Sequence, residues 1–154
     1  LGGYMTPHAA YMQTVGVESL DARYRVQSSN ALALATRLQK VPQIKRVNYT
    51  GLPDNPFYEI AKRQYGNTSG AMLTIDLADK ASALRFIDRL KVIHRASNLF
   101  DNRSLAIHTA STIFGTFSGS QRRAMDVLDT TIRISVGLEH VDDLYEDIVQ
   151  AVQE

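Results

Sequence analysis

Arg133 sits inside the stretch Thr130 to Leu144, T-T-I-R-I-S-V-G-L-E-H-V-D-D-L, which reads as a strand, a glycine turn and a helix start. Ile132, Ile134 and Val136 alternate with Thr131, Arg133 and Ser135. A period of two puts the first set on one face and the second on the other. Arg133 therefore stands mid-strand, opposite an apolar face. An arginine there needs a carboxylate or phosphate partner, or open water. Its planar guanidinium suits bidentate capture of a carboxylate. A salt-bridged or solvated strand arginine is the plainer reading, since surface ion pairs are common.

The other groups that carry chemistry are sparser. Ser97 and Asn98 open a polar stretch running to Arg103, where such residues form turns or face water. His108 follows an apolar run and reads as a satisfied structural group. His8, His94 and His140 have no metal-ligand spacing with one another, so no metal is assigned. No glycine-rich phosphate loop is present. Gly2-Gly3 reads as a hinge, and Arg122-Arg123 as a solvated helix face.

These residues need elements to hold them. Thr6 followed by Pro7 marks a helix start, with that helix reaching about Leu20. A second helix spans about Ala22 to Lys40, with Ala31, Leu34, Ala35 and Leu38 on one face, and Pro42 stops it. Ile44 to Tyr49 and Ala71 to Leu77 read as strands. Between them Asn55-Pro56 opens a short helix with Phe57, Ile60 and Ala61 inward, followed by a loop from Gly66 to Gly70. Lys80 to Leu90 is a helix carrying Leu84, Ile87 and Leu90. Lys91 to His94 and Leu105 to His108 are strands, and Thr112 to Ser120 reads as loop. Gln121 to Leu128 is a short helix. After the Arg133 strand comes a helix from Val141, with Asp142 and Asp143 favouring its dipole and Leu144, Ile148 and Val152 as its buried stripe. Helices and short strands alternate with connections too short for parallel crossovers. The expected fold is α+β, a mostly antiparallel sheet of about four strands covered by helices on one face.

The 154 residues make one domain's worth of chain, enough to bury about 70% of the unfolded surface. A net charge of +1 argues against an electrostatically driven nucleic-acid binder. No run of about 18 apolar residues suggests a membrane span, and no basic-then-apolar leader is visible. Zero cysteines exclude disulfides and zinc–thiolate sites. These features lead to the expectation of a cytoplasmic protein.

Five stretches, in order, resemble the Cys/Met-metabolism family of pyridoxal-phosphate (PLP) enzymes. That family includes methionine γ-lyase, cystathionine γ-synthase and O-acetylhomoserine sulfhydrylase. M-T-P-H-A-A-Y-M-Q-T-V-G-V-E-S-L-D-A-R (Met5 to Arg23) is similar to the family's S-P-x-x-A-x-L-x-x-R-G-x-x-T-L-x-x-R. Ser29 to Leu38 resembles its N-A-x-x-x-A-x-x-L helix, and V-N-Y-T-G-L-P-D-N-P (Val47 to Pro56) its V-x-Y-P-G-L-x-x-x-P. N-L-F-D-N-R-S-L-A-I-H-T-A-S-T (Asn98 to Thr112) resembles N-x-G-D-x-R-S-L-x-x-H-P-A-S-T. I-R-I-S-V-G-L-E-H-V-D-D-L looks like the family's C-terminal signature.

The resemblance implies that residues 1–154 form a single C-terminal domain. The large domain, with the Schiff-base lysine, the phosphate-binding residues and PLP, would lie upstream. It implies that Arg133 binds the α-carboxylate of an amino-acid substrate, homoserine- or cysteine-derived. Asn98, by backbone and side chain, would help hold that carboxylate, with Ser97 as a second donor. No catalytic residue is expected in this chain, which should be inactive alone, and the full-length enzyme is expected to be a homo-tetramer. Several positions depart from the family pattern. Phe100 stands where a small residue, usually glycine, is found. Thr109 replaces a proline, Ile113-Phe114 a polar pair, and Asp126 a glycine, and Val15-Gly16-Val17 weakens the R-G motif. Glycine's backbone freedom at position 100 would be lost with Phe, distorting the turn or narrowing the pocket. Two other readings follow: an amino-acid-sensing α+β module, and a degenerate paralogue paired with an active subunit.

Overall fold

Hydrophobic alternation in Leu73, Ile75, Ile132 and Ile134 builds the centre of the sheet in the computed structural model, which describes residues 2–153. The strands are β1 (Arg46–Asn48), β2 (Met72–Asp76), β3 (His94–Arg95), β4 (Leu105–His108) and β5 (Thr131–Ser135). Their order across the sheet is β1-β2-β5-β4-β3. The expected α+β class is found, but the sheet is mixed and five-stranded, not mostly antiparallel with four. β1, β2, β5 and β4 pair antiparallel, whereas β3 runs parallel to β4. The parallel edge arises because the chain makes a polar turn of nine residues between β3 and β4 and comes back in the same direction.

The helices are α1 (Pro7–Glu18), α2 (Leu20–Leu38), α3 (Tyr58–Tyr65), α4 (Lys80–Arg89), α5 (Gly119–Ala124) and α6 (Val141–Val152). Thr6 caps α1 as expected, its hydroxyl accepting from the Ala9 amide at 3.2 Å. Leu34 and Leu38 of α2, Phe86 of α4 and Leu144 and Ile148 of α6 pack with the inner face of the sheet in one core. Full burial of each such side chain contributes about 1.5–3 kcal/mol.

Some inward-facing expectations fail. Leu84 is exposed and Ala83 and Phe86 are buried instead, because the α4 face turned to the sheet is one position round from the one expected. Of the three inward residues expected on α3, only Ala61 is buried. On α6 Ala151 is buried in the place expected of Val152, which is only partly buried. α5 starts at Gly119 rather than Gln121, because Ser118 and Gln121 form a capping box there.

The largest shift is at β3, expected over Lys91 to His94. Asp147 of α6, buried, turns its carboxylate to this segment and accepts the amides of Lys91, Val92 and Ile93 at 2.9, 3.0 and 2.9 Å. Those donors are satisfied by a side chain, so sheet pairing begins only at His94, whose amide reaches Ser104 O at 2.9 Å. α1, like the short α5, has no buried residue, but it carries exposed apolar side chains along its length: Tyr11, Met12, Val15 and Val17.

Replacing Asp147 by Ala leaves three backbone donors without their acceptor. We expect a loss of about 3 kcal/mol, read as a lower urea midpoint with little change in slope, and about half that loss for Asp147→Asn. A midpoint unchanged by Asp147→Ala would contradict this role.

Candidate functional site

β5 is the middle strand of the five, bonded on both sides. Arg133 lies opposite Thr74 of β2 and Ile107 of β4. Ile132 and Ile134 are fully buried on the helix side, so Arg133 projects from the other face. A side chain launched from a doubly paired strand starts from a rigid base. The guanidinium is half-buried, and burial lowers its pKa from the ordinary value. An arginine remains charged all the same.

Ser97 and Asn98, which the resemblance named beside Arg133, lie next to it in the fold. Nη2 of Arg133 donates to Ser97 Oγ at 3.4 Å and to the Asn98 carbonyl at 3.5 Å. Both bonds are long and both acceptors neutral. Among the described residues no carboxylate pairs with Arg133. The Asn98 side chain faces its own turn: Oδ1 accepts from the Leu99 amide at 2.9 Å, and Nδ2 donates to Asp101 at 3.2 Å. Asp101 in turn accepts from the Arg103 amide at 3.0 Å. That backbone bond, then the Arg103 and Asn98 side chains, hold the Asp101 carboxyl below its usual range.

Phe100 sits at the crown of this turn with φ 53°. The turn keeps the left-handed backbone that glycine would adopt, and Phe adopts it too. Asp126, which the resemblance set against a glycine, has φ 54°. Aspartate tolerates this region better than most residues, and its carboxylate accepts from Arg46 at 3.2 Å.

Arg46 is a useful contrast to Arg133. Its Nε donates to Asp76 at 2.6 Å, and that bond raises its pKa. Asp76 also accepts from the Thr131 hydroxyl at 2.5 Å. One sheet arginine thus has two acids, and the other has none.

Ser104 and Glu139, which sequence reasoning gave no role, and the turn glycine Gly137 fix the turn after β5 against the turn before β4. Glu139 accepts from the Ser104 amide at 2.7 Å and from its hydroxyl at 2.8 Å. The Ser104 hydroxyl accepts from the Gly137 amide at 2.8 Å. Leu138 N reaches Asn102 O at 2.8 Å. A β-carbon on Gly137 would lie 2.5 Å from Asn102 O and from the Arg103 carbonyl carbon. All three lie inside the stretches R-S-L and S-V-G-L-E, but nothing local in either stretch announces the other as its partner.

His108 is buried, with Nδ1 at 2.7 Å from Ser111 Oγ and Nε2 at 2.8 Å from Asp129 O. It is engaged on both nitrogens. The residues at Arg133 supply one cation and hydroxyl, amide and carbonyl groups. That set fits a carboxylate. It does not fit PLP itself, since the cluster contains no lysine and no array of amides for a phosphate.

A family model described as Cys/Met metabolism PLP-dependent enzyme matches residues 1–153. The chain is 38% identical over 152 residues to O-acetyl-L-homoserine sulfhydrylase 1 of Thermus thermophilus, covering 98% of this chain and 36% of that protein. It is 36% identical to O-succinylhomoserine sulfhydrylase of Pseudomonas aeruginosa, covering 98% of this chain and 38% of that one. The structure of O-acetylhomoserine sulfhydrylase of Wolinella succinogenes superimposes with a TM-score of 0.84 at 40% identity, over 98% of this chain and 40% of that structure. The chain thus spans well under half the length of these relatives.

Changing Gly137 to Ala forces backbone apart at the junction of the two turns. We expect about 2–3 kcal/mol of destabilisation, measured by denaturant unfolding. A variant as stable as the parent would mean the junction is loose.

Proposed function

This chain belongs to the Cys/Met metabolism PLP-dependent enzyme family, and from that premise we propose that it is the C-terminal, substrate-carboxylate-binding domain of a sulfur amino-acid enzyme. The observation that carries the proposal is Arg133: half-buried, charged, on the central strand, and without an acid partner among the described residues. Such a group needs an anion from outside, and a planar carboxylate matches its fork.

The family's cofactor is PLP, which supplies the electron sink for bond breaking next to the α-carbon. In this proposal PLP and its lysine belong to an upstream large domain. The share of the sulfhydrylases that this chain spans supports that division. So does α1, whose exposed apolar side chains offer a surface for such a domain. The work of this chain is orientation. Arg133 takes the carboxylate through the N–H groups not aimed at Ser97 and Asn98, and the Ser97 hydroxyl donates a further hydrogen bond. A substrate fixed at its carboxylate presents one bond of its α-carbon to the cofactor and withholds the others. The substrate is a homoserine- or cysteine-derived amino acid, and the reaction is γ-replacement or γ-elimination, of the kind O-acetylhomoserine sulfhydrylase or methionine γ-lyase carries out. The assembled enzyme is a homo-tetramer working in the cytoplasm. The 154-residue chain alone is inactive.

The test uses the full-length protein purified with PLP. Its visible cofactor absorbance should shift on adding O-acetylhomoserine, and sulfide should then be consumed. Arg133→Ala should lower kcat/KM by about a hundredfold, the worth of a charge-assisted bidentate contact of about 3 kcal/mol. Undiminished kcat/KM in that variant would sink the carboxylate role, and a protein with no cofactor band would sink the enzyme reading.

A further inference from the structure

The turn that carries Ser97 and Asn98 does not hold itself. Its crown residue, Phe100, sits at φ 53°, where a β-carbon is disfavoured. Its internal bonds are exposed ones, through Asn98, Asp101 and Arg103. Beyond the Leu138 amide that reaches Asn102 O at 2.8 Å, what braces it from outside is α2. Gln27, 1% exposed, donates its side-chain amide to the Asp101 carbonyl at 2.7 Å, across 74 residues of sequence. One helical turn earlier, Tyr24 is half-buried with its ring centroid 6.0 Å from that of Phe100. One turn later, Asn30 donates to the carbonyls of Gly137 and Glu139 at 3.3 and 3.0 Å. Residues three apart on a helix share a face. The part of α2 up to Asn30 thus touches both turns that flank Arg133, and the part from Ala31 onward is spent on the apolar core.

We propose that Gln27, seconded by Tyr24, is a positioning residue for the Arg133 clamp: it holds the 97–103 turn so that the Ser97 hydroxyl and Asn98 carbonyl stay at the guanidinium. This inference rests on the carboxylate role of Arg133 proposed above. Gln27 touches no substrate. Its effect travels through one backbone carbonyl, and the turn is the element that moves. A relaxed turn would draw Ser97 and Asn98 away, free Nη2 to reorient, and loosen the grip on the carboxylate without altering the cofactor's chemistry.

The test is a double-mutant cycle in the full-length PLP-loaded enzyme, with O-acetylhomoserine and sulfide as substrates. Gln27→Met keeps the length of the side chain and removes the donor. It should raise KM for O-acetylhomoserine about fivefold, the equivalent of one hydrogen bond of about 1 kcal/mol, with kcat nearly unchanged. In the Arg133→Ala background the same change should add nothing further, because the clamp it serves is gone. Amide hydrogen exchange in residues 98–103 should quicken in Gln27→Met while β5 stays protected. An unchanged KM in Gln27→Met beside a raised KM in Arg133→Ala would overturn the positioning role and leave the clamp standing. Full additivity of the two changes would overturn it as well. An Arg133→Ala enzyme with unaltered KM would overturn the clamp, and this inference with it. Should Gln27→Met not fold, Tyr24→Leu, at a half-buried position, carries the same expectations at about half the logarithmic effect, and unchanged KM and exchange there would overturn the proposal.

Discussion

The Glu139 carboxylate is the tie on which the Arg133 end of the molecule depends. It takes both donors of Ser104, and Ser104 takes the Gly137 amide in turn. The exit of β5 and the entrance of β4 become one body. Neither turn is a regular element, so neither has a ladder of its own to fix it. A carboxylate that accepts a backbone amide and a hydroxyl makes charge-assisted bonds, shorter and stronger than neutral ones. The close approach it enforces is the reason position 137 has room for no side chain. Because β4 and β5 are hydrogen-bonded neighbours, a fixed junction at their common end also fixes the register of Arg133 against Ile107.

Much of the fold was legible because its signals are local. Period-two alternation located β2 and β5, a short apolar run located β4, and the Thr6-Pro7 cap and the 31-34-35-38 stripe located α1 and α2. Where the reading failed, a distant group had intervened. Val92 and Ile93 are apolar and β-branched enough for the segment to read as strand, but Asp147 removes the amides of residues 91–93 from the sheet. No window around residue 91 contains that aspartate. Leu84 failed for a different reason. Periodicity gives a stripe but not which edge of it meets the neighbour, and α4 packs on both α6 and β4. The parallel pairing of β3 was likewise invisible, since two residues of strand carry no directional signal.

The site divides in the same way. Alternation made Arg133 conspicuous, as an arginine between two isoleucines of a strand, but pattern alone favoured a salt-bridged or solvated side chain, and its carboxylate role came from motif likeness. Ser97 and Asn98 came from motif likeness, and their approach to Arg133 spans 35 to 36 residues of sequence that spacing cannot bridge. Gln27, Ser104 and Glu139 were missed because each works through a backbone group of another segment. Backbone groups have no letter in the sequence, so no pattern of side chains advertises them. Phe100 and Asp126 were seen, but as departures. The left-handed φ at both is the feature that the fold asks of these positions, and both side chains adopt it.

Arg46 and Arg133 show what the sheet does with two arginines of opposite fate. Arg46, near an edge, is given Asp76 and Asp126 and becomes a strut. Arg133, at the centre, is partly stripped of water and given only two long bonds to neutral oxygens. Desolvating a cation without a partner opposes folding, and the chain would be more comfortable with an acid beside it. An acid there would fill the fork permanently and leave nothing for a ligand. The neighbours of Arg133 instead keep it aimed and unsatisfied, which calls for a frame stiffer than the penalty it carries. That frame is the doubly paired β5, the Ser104–Gly137–Glu139 junction and the polar half of α2. In the proposed role, a group held in this condition would meet its anion with the desolvation already met in folding, so the carboxylate would gain a partner without first having to assemble one.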